Sequence, residues 1–469
     1  MAQTEDKLPA GAGGSLELWQ VALPLVLSNA FWTLQITAGR VMLSRQNSET
    51  VGAAMSAGVL YWAMFALLHQ TASYAATFVA QYLGAGRPQR VGPAVWQAIH
   101  FSLITGIGFL LFLPLTPWLI SLSGHSPAMQ ELEVQYFRCL CFATLPLLLI
   151  AAVNSFFAGR GSTWPVLWMN VLGMTVEISV GYVLIYGGGP IPPLGITGAG
   201  MATVIASWAS ALFGIVLLLR RQFRREFATL NGWRPEPALF LRLLRFGLPN
   251  GLQFSLDAWA FTIFLLLMGR MGDAQLTATS MAFTLNSLAL VPMLGLAQAV
   301  AVLVGRRLGM NRPDIATKSA YRGVFSCLVY TTAIAAIYAF APHLLMDLFR
   351  DTDTARWESV ATIVPVLLRF VAVYCLFESM SLILSSALRG AGDTLFVSLA
   401  TLILAWLLMV LPAFWAWKNG KNLYWSWTFA TGYLVVLCFI FWGRFWQGRW
   451  RTMRVIESQQ SPDLVLQEA

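Results

Sequence analysis

Charge is what this 469-residue chain lacks most: Asp, Glu, Lys and Arg make up 11% of it, against about a quarter in soluble globular domains. With 57% hydrophobic residues and a mean hydropathy of +0.66, that scarcity excludes an ordinary water-soluble globule. Histidine is rare too, at 4 residues, and the 5 cysteines (Cys139, Cys141, Cys327, Cys375, Cys438) all fall within apolar runs. They lack the clustering of metal ligands and read as small core residues. No paired histidines and no nucleophile motif stand on the apolar segments, which argues against an intramembrane enzyme. No filter-like segment or ring of charges argues for a channel. Residues 1–15 lack the charged-then-apolar layout of a cleaved signal, so the first apolar run is expected to be retained.

What the chain has in abundance is apolar runs. Twelve of them, at roughly 16–44, 51–83, 91–122, 129–158, 164–187, 195–222, 238–270, 274–308, 315–348, 356–389, 393–417 and 424–448, are long enough to span a bilayer as helices. They are too long for barrel strands, so the expected class is an all-α membrane protein. The expected organisation is a cytoplasmic tail over 1–15, a first lobe over 16–222, a cytoplasmic linker over 223–237, a second lobe over 238–454 and a disordered tail over 455–469. The net charge of +9 is explained by topology and needs no nucleic-acid partner. With a cytoplasmic N-terminus, 21 of the 30 Lys and Arg residues face the cytoplasm and 6 face outwards, as the positive-inside rule requires. The Arg-rich stretch 220–245 then lies at anionic headgroups.

The chain is also duplicated. Leu83-Gly84-Ala85-Gly86-Arg87-Pro88 recurs as Leu308-Gly309-Met310-Asn311-Arg312-Pro313, 225 positions later, and the same offset carries Pro24 onto Pro249. Later in each half the offset becomes 231, laying Phe157-Ala158-Gly159-Arg160-Gly161 over Leu388-Arg389-Gly390-Ala391-Gly392 and Arg138 over Arg369. Those two arginines lie in the outer halves of their helices, where they snorkel, pair or line a pathway. Six helices per half, both halves starting on one side, make parallel repeats that enclose a central cavity.

Three acids interrupt the spans: Glu177, Asp257 and Glu378. Asp257 lies 12 residues beyond Arg245 and Glu378 lies 11 before Arg389, so both sit about 17–18 Å from the cytoplasmic edge at the helical rise of about 1.5 Å per residue. Two carboxylates facing one cavity either bind a cation between them or force one to hold a proton, which is the chemistry of Na+ or H+ coupling. Gln253 and Tyr374, each four residues before an acid, share their faces. The plainer alternative is that the acids are interhelical glue. On the repeat Asp257 falls on Trp32 and Glu378 on Leu147, so neither belongs to the duplicated scaffold. Arg40, late in the first helix, either snorkels or pairs with Glu177. His69 and His100 read as packed residues before proton carriers, and tryptophans reaching the cavity would suit planar cations.

Gly247-Leu248-Pro249, the paired L-G-x-x-R-P ends, Leu388-Arg389-Gly390-Ala391-Gly392-Asp393-Thr394, Asn170 through Gly187, and Leu194-Gly195-Ile196-Thr197-Gly198-Ala199-Gly200-Met201-Ala202-Thr203 occur in the order that resembles the multidrug and toxic compound extrusion (MATE) family over nearly the whole chain. The resemblance implies two six-helix lobes in a V around a central cavity. It further implies export of amphipathic, often cationic drugs or metabolites in exchange for Na+ or H+ by alternating access. Asp257 matches the family's acid of helix seven. Tyr374 and Glu378 match the Tyr and acid of helix ten that bind Na+ in the NorM-like branch, with Glu in place of Asp. The first lobe departs from the pattern: Gly39, followed by Arg40, stands where many members carry Asp, and Glu177 and Gly181 stand for an Asn and an Asp. Asn154 and Thr203 remain as polar partners of a possible site there. No cofactor beyond the coupling ion is implied. The expected setting is the bacterial inner membrane, with both termini cytoplasmic and each chain working as a monomer, and the alternative activity is a flippase or exporter of a lipid-linked or endogenous metabolite.

Overall fold

The computed structural model describes residues 13–46, 48–188, 190–346 and 354–457. The expected tails at 1–12 and 458–469, with Lys7, and Arg350 in an outer loop, lie outside the described residues. Among the described residues, twelve helices are long and apolar enough to cross a membrane: α1 (Ser15–Ser44), α2 (Glu49–Gly84), α3 (Pro88–Ser121), α4 (Pro127–Gly159), α5 (Trp164–Tyr186), α6 (Gly195–Leu218), α7 (Pro237–Met271), α8 (Ala274–Gly309), α9 (Pro313–Phe340), α10 (Val360–Ala391), α11 (Thr394–Lys418) and α12 (Leu423–Gln447). Prolines open α4, α7 and α9, where the missing N–H has no helical acceptor in any case. Pro24, Pro146, Pro249, Pro292 and Pro365 lie inside helices and remove a backbone bond from each. Helix α11 carries a π-helical stretch at Ala405–Val410.

Helices α1–α6 form one lobe and α7–α12 the other, splayed into a V. The duplication is visible atom by atom. A Cβ on Gly159 would lie 2.5 Å from the Ala76 carbonyl, and one on Gly390 would lie 2.3 Å from the Ala301 carbonyl; Ala76 and Ala301 are themselves equivalent at the 225 offset. Only glycine permits α4 and α10 to approach α2 and α8 this closely. Likewise Asn170 of α5 donates to Ser28 of α1, and its equivalent Thr401 of α11 accepts from Gln253 of α7, 3.3 Å.

The L-G-x-x-R-P strings have a geometric reason as well. Gly86 and Asn311 occupy the same turn position with φ of 68° and 55°, and Arg87 N and Arg312 N close the two turns onto Tyr82 O and Arg307 O, each at 2.9 Å. The string's first glycines meet across the pseudo-two-fold axis: a Cβ on Gly84 would lie 2.0 Å from the Arg306 carbonyl, and one on Gly309 would lie 2.2 Å from the Gln81 carbonyl. Gln81 and Arg306 are again repeat partners.

This meeting lies at the base of the V, the end carrying the start of α1, the linker and the chain's last described residues. Other lobe-bridging bonds gather there: Tyr74 Oη donates to Arg389 O at 2.7 Å, Gln81 Nε2 to Gly390 O at 3.1 Å, and buried Arg307 pairs with Glu17. Bridging continues as far as Ser255 Oγ to Ala63 O, 3.0 Å, midway along α7. The linker is not a free loop. It forms a short helix, Arg221–Glu226, whose Phe223 joins Phe227 and Phe156 around the Arg160 guanidinium at 4.5–4.9 Å. Residues 455–457, placed in the C-terminal tail by sequence, pack onto the seam: Val455 is 1% exposed and its N–H donates to Gln81 Oε1 at 2.8 Å. Glu457 pairs with Arg242 at 2.9 Å and Arg90 at 3.5 Å, and accepts from Tyr82 Oη at 2.8 Å.

Candidate functional site

In the second lobe, Asn250, Gln253, Phe254 and Asp257 lie on one face of α7, spaced as a helix requires for a shared face. Tyr374, Glu378, Ser385 and Arg389 do the same on α10. Asp257 and Glu378 are half-buried. Among the described residues neither acid has an ion-pair partner within 4.0 Å. Asp257 accepts a long bond from Gln253 Nε2, 3.5 Å, and Glu378 accepts from Asn286 Nδ2 of α8, 3.4 Å. The two acids thus belong to two hydrogen-bonded pairs, and Tyr433 of α12 lies within electrostatic reach of both.

Three oxygens of this region are buried without a hydrogen-bond partner among the described residues: Gln253 Oε1, Asn286 Oδ1 and Tyr374 Oη. Buried polar atoms are nearly always satisfied, and these three belong to side chains that bond one of the two carboxylates or stand one helical turn from it, so their oxygens are free to accept a further partner. Tyr374 is held from behind by Trp427, stacked at 6.3 Å, and Trp427 Nε1 points to Thr279 Oγ1 at 3.4 Å. Sequence reasoning chose Gln253, Asp257, Tyr374 and Glu378 but missed Asn286, Thr401 and Tyr433. Their signal was a polar side chain within an apolar run, which spacing along one helix does not single out.

The first lobe is arranged differently. Glu177, 8% exposed, accepts from Gln35 Nε2 of α1 and from Thr203 Oγ1 of α6, the latter at 3.2 Å. Gly39 faces the same carboxylate, which a Cβ there would approach to 3.7 Å. Arg40 is exposed and stands in no ion pair with Glu177 within 4.0 Å among the described residues. Thr203 therefore joins Glu177 as the sequence grouped them, Gln35 takes the place considered for Arg40, and Asn154 is not bonded to the acid, its Oδ1 being buried without a partner. Trp32, the repeat equivalent of Asp257, leans on Trp62 at 5.6 Å. Trp259, two residues beyond Asp257 and so on nearly the opposite side of α7, is 47% exposed. His69 and His100 sit beside aromatic rings, at 5.4 Å from Phe65 and 5.9 Å from Trp96, as packed residues do.

A two-lobe bundle of six plus six helices, with acids and exposed aromatics on the inner helices, is the architecture of a secondary transporter. The chain belongs to the MatE family, whose model matches residues 24–183 and 249–415, one block in each lobe. A probable multidrug resistance protein NorM from Shewanella oneidensis is 25% identical over 394 residues, covering 83% of this chain and 84% of the relative. Among solved structures, an outward-facing multidrug resistance MATE transporter of the MOP superfamily superposes with a TM-score of 0.85 at 20% identity, over 95% of this chain and 99% of the other. A MOP superfamily transporter from Pyrococcus furiosus, described as having a binding pocket of reversed polarity, superposes with a TM-score of 0.83 at 21% identity, over 93% and 96%. The protein is thus a multi-pass membrane transporter of the multidrug efflux family that acts on small molecules, and it is not an enzyme.

Proposed function

We propose that this protein is a cation-coupled antiporter of the bacterial inner membrane that exports amphipathic, often cationic compounds in exchange for Na+ or H+. In this reading the base of the V faces the cytoplasm, the V opens outwards, and each chain works as a monomer. The observation that carries it is the second-lobe group: among the described residues, two half-buried carboxylates without ion pairs, beside three buried oxygens without hydrogen-bond partners. Removing a carboxylate from water is costly unless it is paired, liganded or protonated. A cation entering from outside supplies the missing partner, and Gln253 Oε1, Asn286 Oδ1 and Tyr374 Oη offer hard oxygens suited to Na+. Protonation of one acid answers the same need, with the neutral carboxyl donating to an orphaned oxygen. A cationic drug that depends on the same carboxylates competes with the ion, which is the thermodynamic basis of exchange. Exposed Trp32 offers a ring face to a planar cation. An exporter of polyanionic lipids would instead need several cations facing the cavity, whereas here two acids stand beside one buried arginine, Arg389.

The test is ethidium efflux from cells expressing the wild type, Asp257→Asn or Glu378→Gln, with Na+ and H+ gradients imposed separately. Each variant is expected to lose most efflux under the gradient that drives the wild type, and wild-type efflux by both would sink the assignment.

A further inference from the structure

Arg389 lies inside the last turns of α10 and is 9% exposed. Among the described residues its guanidinium bonds only neutral oxygens: Asn250 Oδ1 at 3.4 Å and the Ser385 and Ser386 hydroxyls at 3.2 Å each. It lies over the Phe254 ring at 5.5 Å, and no carboxylate pairs with it within 4.0 Å among the described residues. Both of its α7 neighbours, Asn250 and Phe254, share the face of Asp257, which is the carboxylate within electrostatic reach. The same residue is built into the seam between the lobes. Its carbonyl accepts from Tyr74 Oη of the first lobe at 2.7 Å, and Asn250, which holds its guanidinium, donates through Nδ2 to the first-lobe Gln70 carbonyl at 3.3 Å.

We infer that Arg389 is the positioning residue that links occupancy of the second-lobe ion site to closure of the seam at the base of the V. With Asp257 charged, attraction across a low-dielectric interior draws Arg389 against α7 and holds Asn250 where it donates to Gln70 of the opposite lobe. When a cation or proton neutralises Asp257, Arg389 is left as a buried cation among neutral dipoles. Its withdrawal towards water at the base frees Asn250 Oδ1 and so loosens the Asn250–Gln70 bond between the lobes, while Tyr74 stays on the Arg389 backbone carbonyl. The ion-loaded protein is then the one that opens at the base, which is the order that exchange requires. This inference rests on the coupling reading given above.

The experiment uses the full chain in lipid nanodiscs, with the native cysteines replaced and spin labels at Leu122→Cys and Lys418→Cys. Both positions are exposed at the far ends of the two lobes. The distance between labels is recorded with and without saturating Na+ and across a pH titration, together with the affinity for the responding ion. Arg389→Gln is expected to bind the ion about tenfold more tightly, within the usual range of coupling energies, because a neighbouring positive charge is gone. The same variant is expected to lose the ion-driven change in distance, and Arg389→Lys to keep it. A full ion-driven change in Arg389→Gln overturns the inference while leaving coupling intact. Weakened ion binding in both variants also overturns it, since that is what a purely structural residue would give. A wild type that responds to neither ion, and behaves as Asp257→Asn does, overturns the coupling reading and this inference with it.

Discussion

Glu457 offers the sharpest test of how the seam is held. Its carboxylate sits in the last described residues of the second lobe, yet it accepts from Tyr82 Oη at 2.8 Å and pairs with Arg90 at 3.5 Å, both in the first lobe, while Arg242 at 2.9 Å anchors it to its own. Glu457→Gln removes the charge and keeps the size. The Arg90 pair is weak, because the side chains are 36% and 34% exposed; such pairs contribute about 0.2–1 kcal/mol. A hydrogen bond to a charged group contributes about 1.5–3 kcal/mol when shielded, and about 1 kcal/mol after discounting for this exposure. The lobe-bridging loss is therefore about 1.5 kcal/mol, or about tenfold in the balance between closed and open base. Deleting residues 455–457 also removes the buried Val455 side chain and its bond to Gln81, adding about 2–3 kcal/mol. The assay is the distance between spin labels on the two lobes, read as the fraction with a closed base. A Glu457→Gln fraction within about twofold of the wild type's would refute the reasoning. The pH dependence has a definite sign. Burial opposes ionisation of Glu457, but Tyr82, its own backbone N–H, Arg242 and Arg90 outweigh it and hold the carboxyl below the ordinary range. The contribution is thus complete above the ordinary Glu pKa of about 4.3 and is lost only as pH falls through the depressed value. A clasp that weakened between neutral and mildly acidic pH would contradict this.

Other perturbations probe the scaffold and the first lobe. Gly84→Val and Gly309→Val place side chains where a Cβ alone would lie 2.0 and 2.2 Å from opposing carbonyls; each should cost about 3 kcal/mol or more and lower the melting temperature in detergent. A melting temperature unchanged in either variant would argue against the close crossing of α2 and α8. Asp393→Asn unpairs Arg444, held at 2.7 and 3.3 Å with side chains 15% and 7% exposed, and should destabilise by about 3–5 kcal/mol, seen as earlier thermal aggregation. Gln35→Ala leaves Thr203 as the side-chain donor to Glu177 among the described residues and should cost about 1–3 kcal/mol. The same loss in Arg40→Ala would show that the arginine, and not Gln35, supports that acid.

Much of this was legible from residue order alone. Apolar runs of bilayer length become helices because nothing else satisfies the backbone in hydrocarbon, so the twelve spans could be read from the chain. The repeat was legible because Gly84, Gly309, Gly159 and Gly390 each occupy a place that tolerates no side chain, and such places preserve their residue in both copies. Asp257 and Glu378 stood out because charge in an apolar run is expensive. Partners were harder to see. Gln35 reaches Glu177 across 142 positions, and Asn286 reaches Glu378 across 92, and neither polar side chain is unusual enough within its own helix to announce the contact.

The sequence by itself therefore determined the membrane class, the twelve spans, the duplication and the acids that break it, since each follows from local hydrophobicity or from an identity of spacing. Tertiary structure alone decided which groups surround those acids, how Gln35 displaces Arg40 at Glu177, and how the linker and Glu457 are fastened across the base. The physical reason is that solvation is a property of a stretch of chain, whereas a hydrogen bond or ion pair is a property of two stretches brought together. Their register is set by helix crossings that only the folded lobes create.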